Sequence, residues 1–87
     1  MRVENMTSTR GNKVANQFII NHNGDEYFQS YNSIIVKRSK GLTYLDSIYW
    51  DYSRTTGKYR NEFLGEGIAD TRKKIKSGEY ILKDLNK

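Results

Sequence analysis

The chain of 87 residues contains no cysteine. That excludes a disulfide framework and any thiolate metal site, so folding rests on packing alone, which suits a reducing cytosol. No apolar run approaches the roughly 20 residues that span a bilayer, and the N-terminus lacks the apolar stretch of a signal peptide. These absences predict a soluble, cytoplasmic protein with no membrane partner. Histidine occurs once, as His22, in a segment that reads as a turn tip. A turn tip gives neither the burial nor the positioned neighbour that a general base needs. There is no glycine-rich phosphate loop. The carboxylates Asp46, Asp51, Glu62, Glu66 and Asp70 show no repeating ligand spacing, and Glu62 and Glu66 straddle an expected helix stop at Gly65. The expectation is a protein that is not an enzyme, with no metal and no cofactor.

What is present suffices for one small core. Apolar residues make up 36% of the chain and charged residues 29%, while the 13% aromatic content argues against disorder. The formal net charge is +5, with a pI near 9.5. Such a balance favours anionic partners, nucleic acid first among them; its plainer explanation is a surface charge that maintains solubility.

Residues 1–12 are polar and without periodicity, and are expected to form a flexible N-terminal tail ahead of a single α+β domain over 13–87. Residues 14–21 carry Phe18, Ile19 and Ile20 and read as a strand. Asn23-Gly24 then gives the strongest short hairpin signal, since both turn positions need positive φ. A return strand over 27–31 places Ile20 opposite Tyr27 and Ile19 opposite Phe28. Asn32 marks a turn before the β-branched run Ile34-Ile35-Val36. Lys40-Gly41 makes a second tight turn into residues 42–45, with Val36 opposite Leu45 and Lys37 opposite Tyr44. The result is an antiparallel meander of three or four strands, which needs a cover on one face.

The second half supplies it. Ser53 or Thr55 serves as N-cap of a first helix, on which Tyr52, Thr56, Tyr59 and Phe63 fall on one face and which Gly65 ends. Gly57 costs that helix roughly 1 kcal/mol relative to alanine, and so suggests close packing or close ligand approach. A second short helix places Ile68, Arg72 and Ile75 on one stripe and stops at Gly78. Residues 79–82 read as a final strand at an edge of the meander.

Chemistry concentrates between Tyr49 and Gly65. Arg54, Lys58 and Arg60 interleave with Trp50, Tyr52 and Tyr59, a pattern that can stack bases and hold the phosphates of single-stranded nucleic acid. The same residue types make protein-interface hot spots, or simply a core with wet charged neighbours. The core reading fits Phe63, Tyr59 and Trp50; Tyr49 and Tyr52 are the candidates for stacking. Arg72-Lys73-Lys74-Ile75-Lys76 is the densest basic run and a candidate phosphate clamp. Its plainer reading is a solvated face near a helix C-terminus, where cations are favoured. The expected phosphate contacts are therefore Arg54, Lys58, Arg60, Arg72, Lys73, Lys74 and Lys76, set against only Glu62, Glu66 and Asp70 within the same span.

The order Ser30-Tyr31-Asn32-x-Ile34, then Tyr52-Ser53-x-Thr55-Thr56-x-Lys58, then Asn61-x-Phe63-Leu64 resembles a family of small uncharacterised proteins of bacteriophages and mobile elements, over residues 14–65. Gly57 stands where such proteins often carry serine. The resemblance implies a phage or mobile-element product working in the cytoplasm of a bacterial host. It transfers no activity. Small proteins in that setting include nucleic-acid-binding accessories and inhibitors of host defences, anti-CRISPR proteins among them. The expected partner is thus nucleic acid or a host nucleoprotein defence complex. Direct protein-protein inhibition is the second reading, and a homodimer formed through an exposed edge strand the third.

Overall fold

A computed structural model describes residues 1–87. Its architecture is α+β: a six-stranded sheet in the order β1-β2-β3-β4-β5-β6, with two helices between the last two strands. The strands are β1 (Arg2–Thr7), β2 (Lys13–His22), β3 (Asp25–Ser30), β4 (Ser33–Ser39), β5 (Leu42–Asp46) and β6 (Tyr80–Lys83), and the helices α1 (Arg54–Leu64) and α2 (Ile68–Ser77). Strands β1 to β5 are an antiparallel meander, and β6 joins β5 in parallel.

Both tight turns form where the local chemistry places them. Asn23 and Gly24 take φ of 52° and 82°, and Lys40 and Gly41 take 52° and 80°. The four expected cross-strand pairs, Ile20–Tyr27, Ile19–Phe28, Val36–Leu45 and Lys37–Tyr44, are those observed. The extent of the sheet differs from the sequence reading. Arg2–Thr7, expected within a flexible tail, is an edge strand paired with β2 and anchored by the buried Met6. One buried thioether and a backbone ladder secure a segment whose other side chains are mostly exposed, so its alternation is too faint to register in the sequence. The sheet accordingly has six strands rather than three or four, and the final strand is parallel.

Alternation gives the sheet two unlike faces. Phe28, Val36, Leu45 and Tyr80 point to the helical side, where Phe63 of α1 stacks on Phe28 with ring centroids 5.7 Å apart. Thr56, Tyr59 and Phe63 form the buried face of α1. Tyr52, expected on that stripe, precedes the helix and is 68% exposed. On α2 the buried position is Thr71; Arg72, expected beside Ile68 and Ile75, faces solvent because Thr71 donates from its hydroxyl to Glu66 and turns that side of the helix inward.

No helix is long and apolar enough to cross a membrane.

Candidate nucleic-acid interface

The start of α1 is the centre of the candidate site. Ser53 caps the helix, its Oγ accepting from the Thr56 N–H at 3.1 Å. Thr56 in turn hydrogen-bonds through its hydroxyl to Ser30 of β3 at 2.9 Å, which ties the helix start to the sheet. Of the two N-cap candidates, Ser53 is the one used; Gly65 ends the helix in the left-handed conformation.

Two grooves meet at Ser53. One is basic, lined by Arg54, Lys58, Arg60 and Arg72 with Asp51 as its one carboxylate. The other carries hydroxyls and rings, with Tyr31, Tyr49 and Tyr52 along Ser53 and Thr55. Tyr49 and Tyr52 meet edge to face at 5.4 Å, leaving Tyr52 exposed and Tyr49 half-buried against the core. Four of the seven expected phosphate contacts thus converge on one groove beside the two expected stacking rings.

They are not equivalent. Arg60 was expected at the surface, yet it is 1% exposed. Its guanidinium donates to the Trp50 carbonyl at 2.7 Å, to Asp51 Oδ1 at 3.1 Å and to Asn61 Oδ1 at 3.0 Å, and lies 5.3 Å from the Trp50 ring centroid. Arg60 is therefore a buried fastener between α1 and the loop before it. Gly57 packs beside it, but a Cβ there would stand 3.5 Å from the Arg60 guanidinium, an ordinary van der Waals contact, so the close packing suggested by this glycine does not require it. Arg72 is exposed and reaches Asp51 at 3.7 Å. Arg54 and Lys58 are exposed and form no ion pair.

The remaining members of the expected cluster part company with the groove. Lys73 and Lys76 are exposed on α2 but do not line it. Lys74, expected to meet phosphate, is committed to Glu66 at 2.6 Å. Glu66 also accepts from the Thr71 hydroxyl at 2.7 Å and the Tyr80 hydroxyl at 2.8 Å. Burial works to raise the Glu66 carboxyl, but the bonds from Lys74, Thr71 and Tyr80 outweigh it and hold the group below its ordinary value. The hydrogen bond to Glu66 raises Lys74, while burial and then the Glu66 bond raise Tyr80. This network clamps α2 to β6. Its carboxylate was legible only as an unplaced metal-ligand candidate, because Thr71 and Lys74 reach it only once α2 has turned back over Glu66, and Tyr80 only through the packing of β6.

The charge order of the two helices separates structural from spare cations. A helix favours acids at its N-terminus and bases at its C-terminus, by about 0.3–1 kcal/mol each. α2 obeys, with Asp70 in its first turn and Lys74 and Lys76 in its last. α1 does the reverse: its first residue is Arg54, no acid occupies its first turn, and no base its last. Lys74 and Lys76 of the α2 run are thus placed as their own helix favours, whereas Arg54 at the start of α1 opposes its helix.

A family model described as "Family of unknown function (DUF8033)" matches residues 1–81. The chain belongs to that family. No curated protein and no solved structure matches the chain.

Proposed function

We propose that this member of DUF8033 is a small non-catalytic protein that binds nucleic acid or a nucleic-acid-containing complex, with the start of α1 as its contact surface. The observation that carries the reading is the reversed charge order of α1. Arg54 sits at the positive end of a helix, with Lys58 one turn on and Arg72 across the groove. Arg54 opposes the helix dipole, and Lys58 and Arg72 add positive charge beside it with Asp51 as the one carboxylate to offset them, an arrangement that is relieved when an anion enters. Phosphate is an anion that guanidinium groups and helix N-termini both hold well. Tyr52, with Tyr49 behind it, offers a ring beside those cations, so a single strand can set its backbone on Arg54, Lys58 and Arg72 and a base on Tyr52. Arg60 acts through structure, fixing the floor of the groove. Lys73 and Lys76 add long-range attraction without direct contact, and Lys74 serves Glu66.

The phage or mobile-element setting, within a bacterial cytoplasm, is part of the same proposal and rests on the motif resemblance over residues 14–65. A second reading, inhibition of a host defence complex by direct protein contact, is favoured by one observation. Tyr31 and Tyr52 are 50% and 68% exposed around one groove, and exposed tyrosines of this kind anchor protein interfaces. The two readings separate by experiment. Titration of fluorescent single- and double-stranded oligonucleotides at two salt concentrations should give binding that weakens steeply with salt. If instead a host protein is captured after nuclease treatment and no oligonucleotide binds at low salt, the nucleic-acid reading fails and the inhibitor reading stands.

A further inference from the structure

The face of the sheet turned away from the helices carries a second cluster. Cross-strand register runs a single row over it: Val3, Ile20, Tyr27, Lys37, Tyr44 and Ile81, one residue from each strand. The middle of that row is aromatic and basic. Lys37 stands between the two tyrosines, which lie two strand spacings or about 9–10 Å apart. Its ammonium is 5.7 Å from the Tyr27 ring centroid, and Lys83 is 5.7 Å from that of Tyr44.

This patch is a cavity rather than a flat surface, because the C-terminal segment after β6 walls it. Asn86 bridges both the N–H and the C=O of Ile34, at 2.7 and 3.0 Å, and the Leu85 N–H donates to Asp46 at 2.8 Å. Asp46 is fully buried and also accepts from the N–H groups of Ile48 and Tyr49, so the wall is fastened to the same carboxylate that orders the loop before α1. The half-open cavity has a volume of about 310 Å³, with Lys37, Lys83 and Lys87 on it against the single carboxylate Asp84; Asp25 approaches Lys37 at 3.9 Å from outside.

We propose that this cavity is a binding site for one nucleotide: an aromatic base laid on Tyr27 or Tyr44 and its phosphate held by Lys37, Lys83 and Lys87. Two rings supply a stacking surface, three ammoniums supply charge complementary to a phosphate, and the volume lies at the small end of ligand sites, enough for a single unit. The lysines now resting near the rings are flexible and carry their charge to the phosphate when a base takes the ring. The site lies on the opposite side of the sheet from the α1 groove and does not depend on that groove's function.

The test is an amide chemical-shift titration of the full chain with adenosine monophosphate, with inorganic phosphate, and with an oligothymidylate of ~12 residues, within the range one small domain covers. The expected result is saturable shifts at Tyr27, Lys37, Tyr44 and Lys83 with the mononucleotide. They should weaken about tenfold in Lys37→Glu/Lys83→Glu and persist unchanged in Arg54→Glu/Lys58→Glu. Should Lys37→Glu disturb folding through its Asp25 contact, Lys83→Glu/Lys87→Glu gives the same readout from exposed positions. Shifts with both nucleotide and oligomer support a strand as the source, and shifts with the mononucleotide alone support a free nucleotide. The proposal is overturned if those amides do not respond, if inorganic phosphate matches the mononucleotide, or if Arg54→Glu/Lys58→Glu abolishes the response. None of these outcomes bears on whether oligonucleotides bind at α1, which the salt-dependent titration reads separately.

Discussion

Replacing Arg54 by glutamate should make the protein more stable while removing one of the proposed phosphate contacts. Arg54 is the first residue of α1, exposed and without an ion pair, so no packing or hydrogen bond is lost with it. A cation there is worth about 0.3–1 kcal/mol in the wrong direction, and an acid the same amount in the right one. The exchange should therefore gain roughly 0.5–2 kcal/mol at low ionic strength. For a domain of this size 1 kcal/mol moves the melting temperature by about 4–8 °C, a shift easily resolved by thermal unfolding followed by circular dichroism. The gain should shrink at high salt, since exposed charges are screened over about 3 Å at ~1 M. A low-salt melting temperature equal to or below that of the parent would refute the reasoning: Arg54 would then be contributing to the fold, and the spare-cation argument would lose its basis.

Other substitutions test the division between structural and spare charge. Arg60→Ala should cost about 2–4 kcal/mol in urea unfolding, since it strips the Trp50 carbonyl of its donor and leaves a hole beside Gly57. Asp51 is 42% exposed and can rehydrate, which keeps the figure below that for a fully buried pair; a cost under about 1 kcal/mol would contradict the fastener role. Gln17 is fully buried with neither amide atom hydrogen-bonded, so Gln17→Leu should raise stability by about 1–3 kcal/mol, and a destabilised variant would show that the amide has a partner. Acid should unfold the protein through Asp46 and Glu66. Burial works to raise Asp46, but N–H groups of Leu85, Tyr49 and Ile48 and the Asn86 side chain outweigh it, and both carboxyls lie below their ordinary values. A depressed folded value means the stabilisation is complete above the unfolded one and lost as pH falls through the folded one. Unfolding free energy should hence be flat above about pH 5 and decline below it, with a shallower decline in Asp46→Asn.

Features governed by neighbouring residues were legible in the sequence. Asn23-Gly24 and Lys40-Gly41 dictate their turns through positive φ, and the turns dictate register, so the Lys37–Tyr44 pair followed. Ser53 and Gly65 bound α1 by capping chemistry that needs no tertiary partner. What depended on distant chain was not legible. Strand β1 is held by pairing to β2 and by Met6; the parallel pairing of β6 needs the whole crossover through α1 and α2. Arg60 looked like its neighbours Arg54 and Lys58 because nothing in its local pattern reveals that the Trp50 carbonyl waits behind it. The convergence of Arg72 on Arg54 and Lys58 was equally a matter of how two helices meet. The open-face row was within reach only as two halves, Ile20 with Tyr27 and Lys37 with Tyr44, because a bulge between β3 and β4 decides which side the halves share. The wall formed by Leu85 and Asn86 was not.

The central claim is that the cations at the start of α1 exist to hold phosphate. It is tested most directly by the salt dependence of single-stranded oligonucleotide binding, measured by fluorescence anisotropy for the parent and for Arg54→Glu/Lys58→Glu. If each of Arg54, Lys58 and Arg72 neutralises one phosphate, the logarithmic salt slope of the parent should include about −2 from these three, at roughly −0.7 per contact. The double variant should bind more weakly and lose about 1.4 of that slope while remaining folded. Binding with an unchanged slope in the variant, or no binding by the parent at low salt, would contradict the account.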